Sequence, residues 1–400
     1  MNRAEFAEGT LSRRRIAVCV GCGGVGKTTV AAGLALAAAR RGRRTLVLTI
    51  DPARRLADAL GVGALGNEPR ELPREALEAH GVPESGELWA MMLDMKRTFD
   101  DLVERFAEGP EARDRILRNP IYQHVSDALA GSVEYSAMEK VYEIGESGRF
   151  DLIVVDTPPA QHALDFLEAP ERLLEFLDSR IVQLLIHPAF AAGRFGFRLF
   201  QRGTRRVLQI LERISGIGFL ADVSEFLLAF EGMADGFRDR ARQVRALLLG
   251  PESSFVLVAG PSRESVRQAG EFLDRLEAYA VPLAGVLVNR VRRWPGGGEP
   301  PEIASEPPSG DLAALGAALA ADAGGEFPAE LAARAAVEGA RGYARLVERD
   351  DRETLALRQR IDAQGRFFGT IPEFRSDVHD LAGVERVARF AFGEPEESPP

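Results

Sequence analysis

The residues best equipped for chemistry lie together near the start of the chain: Gly21, Cys22, Gly23, Gly24, Val25, Gly26, Lys27, Thr28 and Thr29. An apolar run, Ile16 to Val20, precedes them, and a small-residue helical run, Val30 to Arg40, follows. Read as Gly-x-x-x-x-Gly-Lys-Thr between a strand and a helix, this is a phosphate-binding loop in its required setting. From Gly23 onward the glycines let consecutive backbone N–H groups turn inward around phosphates, and the helix N-terminus beyond them adds its dipole. Lys27 then neutralises the β- and γ-phosphates, and the Thr28 hydroxyl ligates Mg²⁺. A glycine-rich turn with no ligand is the plain alternative. A Lys-Thr pair placed directly after the last glycine argues against it, and the chain is read as binding a nucleotide.

Two aspartates complete the chemistry. Asp51 ends the continuous apolar run Thr45 to Ile50, at the carboxyl edge where open α/β sheets bind ligands. With Pro52 after it, Asp51 suits a helix N-cap, and it is equally suited to orienting an attacking water. Asp156 ends Leu152-Ile153-Val154-Val155 and is followed by Thr157-Pro158-Pro159, the Walker B arrangement in which a carboxylate holds a Mg²⁺-bound water. Both are assigned to the metal side of the site with Thr28. Asn289, at the end of the buried run Leu283 to Val288, is placed to hydrogen-bond a base.

The elements that must position these residues alternate as strand and helix, which predicts an α/β fold with a mostly parallel sheet flanked by helices. Leu88 to Leu93 reads as a further strand, Leu72 to Ser85 as a loop, and Lys96 to Arg118 and Ile121 to Leu129 as helical. Pro170 to Gly250 is almost all helical, with stripes such as Leu173, Leu177 and Ile181, and later Val223, Phe226, Phe230 and Phe237. These stripes pack together as a helical subdomain or form an apolar groove for a partner. Ser254 to Gly260, a helix from Glu264 to Tyr279, a helix from Ala329 to Arg360, the strand Phe367 to Pro372 and a helix from Val378 to Phe392 follow. The expected organisation is one domain over residues 12–392, with a helical subdomain (96–146 and 165–250), a Pro- and Gly-rich flexible excursion (292–328) and a disordered tail (393–400).

Composition narrows the class. Of 400 residues, 46% are hydrophobic, ample for a large core, and a net charge of −10 argues against coating nucleic acid. The basic runs Arg13 to Arg15 and Arg40 to Arg44 are read as solvated element ends. The two cysteines, Cys19 and Cys22, have C-x-x-C spacing, but one belongs to a strand and the other to the loop. No second Cys or His pair completes a zinc site, so the spacing is read as coincidence. So few thiols, a polar N-terminus unlike a signal peptide and no long apolar run predict a cytoplasmic protein without a membrane span.

The order of the P-loop, Asp51-Pro52-Ala53 and Asp156-Thr157-Pro158-Pro159-Ala160-Gln161-His162-Ala163-Leu164 resembles the arsenical pump-driving (ArsA-type) ATPases. That family includes the tail-anchored-protein targeting ATPases and sits in the P-loop group of ParA, MinD and nitrogenase iron protein. The resemblance runs from Arg15 to Phe392, except for residues 292–328. It implies a Mg²⁺-dependent ATPase working as a dimer, with Asp51 in a first switch and Thr157 to Leu164 as a second. It also implies adenine recognition by Asn289, and by Pro372 in a loop over the base. Cys22 stands where the family usually carries a lysine that reaches the partner's phosphates, and Gln161 replaces a usual glycine. Arg54 or Arg55 then substitutes for that lysine, or the partner is a lysine-bearing paralogue. The implied output is dimer closure that reshapes the helical subdomain to bind or release a protein client. The alternatives are a ParA/MinD-like ATPase cycling on a surface and an energising subunit of an anion transporter.

Overall fold

The computed structural model describes residues 1–51, 54–119, 132–158, 239–304, 307–323 and 328–393, together with residues 122, 175 and 236. The expected second switch beyond Pro158, the helical stripes between Pro170 and Phe237 and the tail after Gly393 lie outside them.

Eight strands form one sheet: β1 (Ile16–Gly21), β2 (Arg44–Thr49), β3 (Arg70–Glu71), β4 (Glu87–Met92), β5 (Leu152–Asp156), β6 (Ser253–Ala259), β7 (Leu283–Val291) and β8 (Phe367–Pro372). Their spatial order is β3-β4-β2-β5-β1-β6-β7-β8. Every pairing is parallel except that of the two-residue edge strand β3. Parallel strands with helices on both faces must be apolar on both faces, and β1, β5 and β6 are buried along their whole length. The exposed, charged Arg70-Glu71 terminates one edge against further pairing.

Helices cover each face with its own core. On one side, helix Lys27–Ala39 consists, beyond Val30, of alanines, leucines and one glycine, and it lies buried between the sheet and the final helix, Leu381–Phe392. Gly33 permits that approach, since a Cβ there would stand 3.0 Å from Val387. The N-terminal helix Arg3–Ala7 joins this layer: Phe6 stacks between Phe367 and Phe392 at centroid distances of 4.4 and 5.7 Å. This anchor lies before the domain start expected at residue 12. On the other side lie helices Ser132–Glu146, 239–249, Arg263–Ala278 and the long Ala329–Ala363. Glu139, 1% exposed, ties the first two together by accepting from Arg240 Nε at 2.7 Å, with Arg105 of helix Met95–Phe106 at 3.3 Å. Burial pushes the Glu139 pKa up, and Arg240 opposes that shift.

Two stretches read as loops contain helices: Arg74–Ala79 within the expected loop, and Ser309–Ala323 within the expected excursion. Short polar or alanine-rich segments carry weak periodicity, and their order comes from docking on neighbouring elements. Ser309–Ala323 packs on the long helix, where a Cβ at Gly316 would meet the Ala329 carbonyl at 2.7 Å.

Gly21, at the end of β1, has φ +150°, and a Cβ there would lie 2.0 Å from the Val258 carbonyl oxygen. The first glycine of the loop motif is therefore demanded by strand packing. Gly21→Ala should lower stability by about 2–3 kcal/mol, measured as a lower urea midpoint at unchanged slope.

Candidate functional site

The carboxyl ends of β1, β2, β5, β7 and β8 bring Gly23, Gly24, Gly26, Lys27, Thr28, Thr29, Asp51, Asn289 and Pro372 to one cleft of about 520 Å³. Convergence at this edge follows from parallel strands whose loops all emerge on the same side. Beneath the P-loop helix, and outside the cleft lining, is Asp156, 1% exposed, whose strand neighbours in register are Cys19 and Thr49. Its Oδ2 accepts from the Thr28 hydroxyl at 2.8 Å and from the Thr49 hydroxyl at 2.9 Å. Its Oδ1 is buried with no hydrogen-bond partner. Burial pushes the Asp156 pKa up to about 6, against the pull of both hydroxyls and Lys27.

Lys27 folds back over the loop and donates to the Cys22 carbonyl at 2.9 Å. Desolvation pulls its pKa down, opposed by Asp156. Asp51 sits at the rim: its N–H donates to the Thr49 hydroxyl at 3.2 Å, and its carboxylate pairs with Arg55 at 3.2 Å. Arg55 lines the cleft, and Arg54 is exposed outside that lining. Thr157 closes the floor by donating its hydroxyl to the Cys19 carbonyl at 2.8 Å.

Asn289 has a role that its strand-end position did not reveal. Its Nδ2 donates to the Val25 carbonyl at 2.9 Å and braces the P-loop from below. Gly26, at φ +89°, makes room for it, because a Cβ there would come within 2.3 Å of that Nδ2. Val25 thus contributes its carbonyl, while its side chain joins the core. Arg290, next in sequence, holds φ +62°, which non-glycine residues rarely adopt, and aims its guanidinium at the Gly24 carbonyl at 3.5 Å.

The cysteines are free and buried. Burial pushes both thiols up, Cys19 most strongly, so Cys22 stays neutral and offers no cation to the cleft. Sequence reasoning missed Thr49, Arg290, Glu373 and Phe374, all but the first of which line the cleft. For Thr49 a signal existed: a hydroxyl at the end of an otherwise aliphatic strand.

The donor set suits a nucleotide with a divalent cation. Hydroxyl and carboxylate oxygens are what Mg²⁺ prefers, and the unpartnered Asp156 Oδ1 is an acceptor awaiting a donor or a metal-bound water. Among the described residues, no three His, Cys, Asp or Glu side chains gather into a metal site of their own. The ion would therefore come with phosphates, held by Thr28 and Asp156. None of the described helices is long and apolar enough to cross a membrane.

Comparison with known proteins agrees with this chemistry. Residues 14–293 match the model of a family described as anion-transporting ATPase. The chain is 28% identical over 272 residues to a protein named ATPase GET3 from Rhodotorula glutinis, covering 68% of each chain. It is 30% identical over 272 residues to the ATPase GET3 of Podospora anserina, covering 68% of this chain and 71% of that one. A match to ATPase ARSA1 of Chlamydomonas reinhardtii, 25% identical, covers 72% of this chain but spans only 36% of that protein.

The buried carboxylate gives the metal-free protein a pH signature. Unfolded, Asp156 ionises near its ordinary value of 3.8; folded, it keeps its proton until about 6. Between those values the folded state holds a proton that the unfolded state has released, so this contribution to stability falls as pH rises. The loss is up to roughly 3 kcal/mol, at about 1.36 kcal/mol per pH unit. Denaturant midpoints in EDTA from pH 4 to 7 should show this fall in the wild type. In Asp156→Asn the share of the fall that Asp156 supplies should be gone, leaving that of Glu139, whose pKa burial also raises, so the variant should gain stability relative to the wild type as pH rises from 4 to 7.

Proposed function

The chain belongs to the anion-transporting ATPase family and is a P-loop ATPase; from that premise we propose that Mg²⁺-dependent ATP hydrolysis drives closure of a dimer, reshaping a helical subdomain to bind or release a protein partner. The observation that carries this reading is the Asp156 carboxylate. It joins the P-loop helix through Thr28 and the Asp51 strand through Thr49, and its own strand continues into Thr157-Pro158, where the expected second switch begins. A change in what Thr28 and Asp156 hold is thereby felt on both strands that lead out of the site.

The chemistry is mainly positioning and charge neutralisation. Lys27, released from the Cys22 carbonyl, turns its ammonium to the β- and γ-phosphates. Thr28 and Asp156 would hold Mg²⁺, which would supply charge neutralisation for the phosphates. Asp51 orients the attacking water and accepts its hydrogen bond, while Arg55 keeps that carboxylate from rotating away. Asn289 keeps the loop in register and has a carbonyl oxygen left to accept from a base, against which Pro372 closes. Preference for adenine rests on this residue and on the lack of any Asn-Lys-x-Asp motif.

The helical subdomain is assigned to residues 96–146 and 165–250, whose two parts are tied to each other by Glu139 and its two arginines. The dimer lacks a cation at Cys22. With Arg55 engaged by Asp51 and Arg54 outside the cleft lining, the natural source is a lysine-bearing paralogue in a heterodimer. A cytoplasmic setting and a protein client with an apolar segment complete the proposal.

Lys27→Ala should cut kcat/KM by about 10²–10³-fold or more, and intact nucleotide binding and turnover in that variant would end the assignment. Isolated wild-type protein should turn over slowly, whereas Cys22→Lys should raise turnover and ATP-dependent dimerisation, followed by light scattering. Affinity capture on Asp51→Asn, which holds ATP unhydrolysed, should retain the client. ATP-dependent pelleting with anionic liposomes in the absence of any client would replace this reading by one of cycling on a surface.

A further inference from the structure

A second cavity, of about 640 Å³, lies between the segment after β7 and the long helix Ala329–Ala363, apart from the nucleotide chemistry. Its walls are of three kinds. Trp294, Phe368 and the half-exposed Leu355 supply flat apolar surface. Arg293, Arg352 and Arg358 supply guanidinium groups, against Asp351 as the one acid in the lining. The third wall is main chain: Gly296, Gly297 and Gly298 run at φ +96°, +79° and +74°, and the last two face the cavity. A Cβ at either would meet nothing within 4 Å, so a ligand can come close to the backbone there, although the Gly297 N–H itself already donates to the Trp294 carbonyl at 3.0 Å.

The charge is poorly balanced. A fourth arginine, Arg292, is paired with the buried Asp350 at 3.1 Å and with Glu373 at 3.3 Å. Among the described residues, no carboxylate is in ion-pair contact with Arg352 or Arg358, and Arg358 instead stands over the Phe368 ring at 5.6 Å. Guanidinium groups stacked on rings select ligands that carry both a π face and an anionic group. A bare inorganic anion would leave the apolar walls wet, and a neutral aromatic would desolvate the arginines without compensation.

We propose that this cavity binds a small aromatic anion, a planar ring system bearing a phosphate or carboxylate. Its size falls in the range that encloses a cofactor-sized molecule. The ring lies between Trp294 and Phe368, and the anionic group faces Arg352 and Arg358. The site is joined to the nucleotide cleft through Arg292, since Glu373 lines that cleft. An occupant that shifts Arg292 changes nucleotide affinity, and nucleotide changes the occupant's affinity by the same factor.

The test is calorimetric titration of 1-naphthyl phosphate into the 400-residue chain saturated with ADP and Mg²⁺. Binding of one equivalent is expected, with 1-naphthol and inorganic phosphate each at least tenfold weaker. The double variant Arg352→Ala/Arg358→Ala, altered at exposed positions only, should weaken naphthyl phosphate at least tenfold and leave ADP affinity in the absence of the probe unchanged. Absence of binding would overturn the proposal. So would equal affinity for 1-naphthol, or undiminished binding in the double variant.

Discussion

A carboxylate taken out of water needs donors, and the centre of this protein is arranged around supplying them to Asp156. Two hydroxyls share one of its oxygens, one from the P-loop helix and one from the neighbouring strand, while Lys27 contributes its charge nearby. This sharing is possible only because β1, β5 and β2 are adjacent and parallel, so that Cys19, Asp156 and Thr49 stand side by side. The topology and the site are one constraint: a different strand order would leave a buried charge without partners.

The same economy recurs away from the centre. Asp350 is fully buried on the long helix, and Arg292 and the Arg292 main-chain N–H satisfy it from the end of β7. Glu139 is satisfied by arginines from two different helices. Each pair joins elements distant in sequence, and a buried charge that loses its partner costs several kcal/mol, on the order of 3–5. These pairs therefore specify how the long helix seats on the sheet and how the other helices seat on one another, more than they add to net stability.

The glycines of the loop motif separate into structural and ligand-facing duties. Gly21 yields to the β6 backbone and Gly26 to the Asn289 amide, whereas Gly24 at φ +76° has open space around it. The phosphate cradle is thus preformed by contacts within the protein. An Asn on β7 and a glycine on the P-loop depend on each other across the sheet edge.

The local patterns of the chain were enough for the sheet and for the heart of the site. Continuous runs of four to six residues rich in Val, Ile and Leu, bounded by turn residues, read as buried parallel strands, and Gly-x-x-x-x-Gly-Lys-Thr and the terminal Asp156 suggest their chemistry within a few residues of themselves. What the sequence could not decide depends on contacts between distant segments. Phe6 becomes a core anchor because Phe367 and Phe392 meet it, and Ser309–Ala323 becomes a helix because the long helix offers it a surface. Asn289 turns to the Val25 carbonyl because the P-loop passes over it, and the arginines after β7 gain a cavity because the long helix folds across them. Periodicity and motif spacing report on neighbours along the chain; which polar group finds which partner across it was settled by the packing of the sheet and its two helical layers.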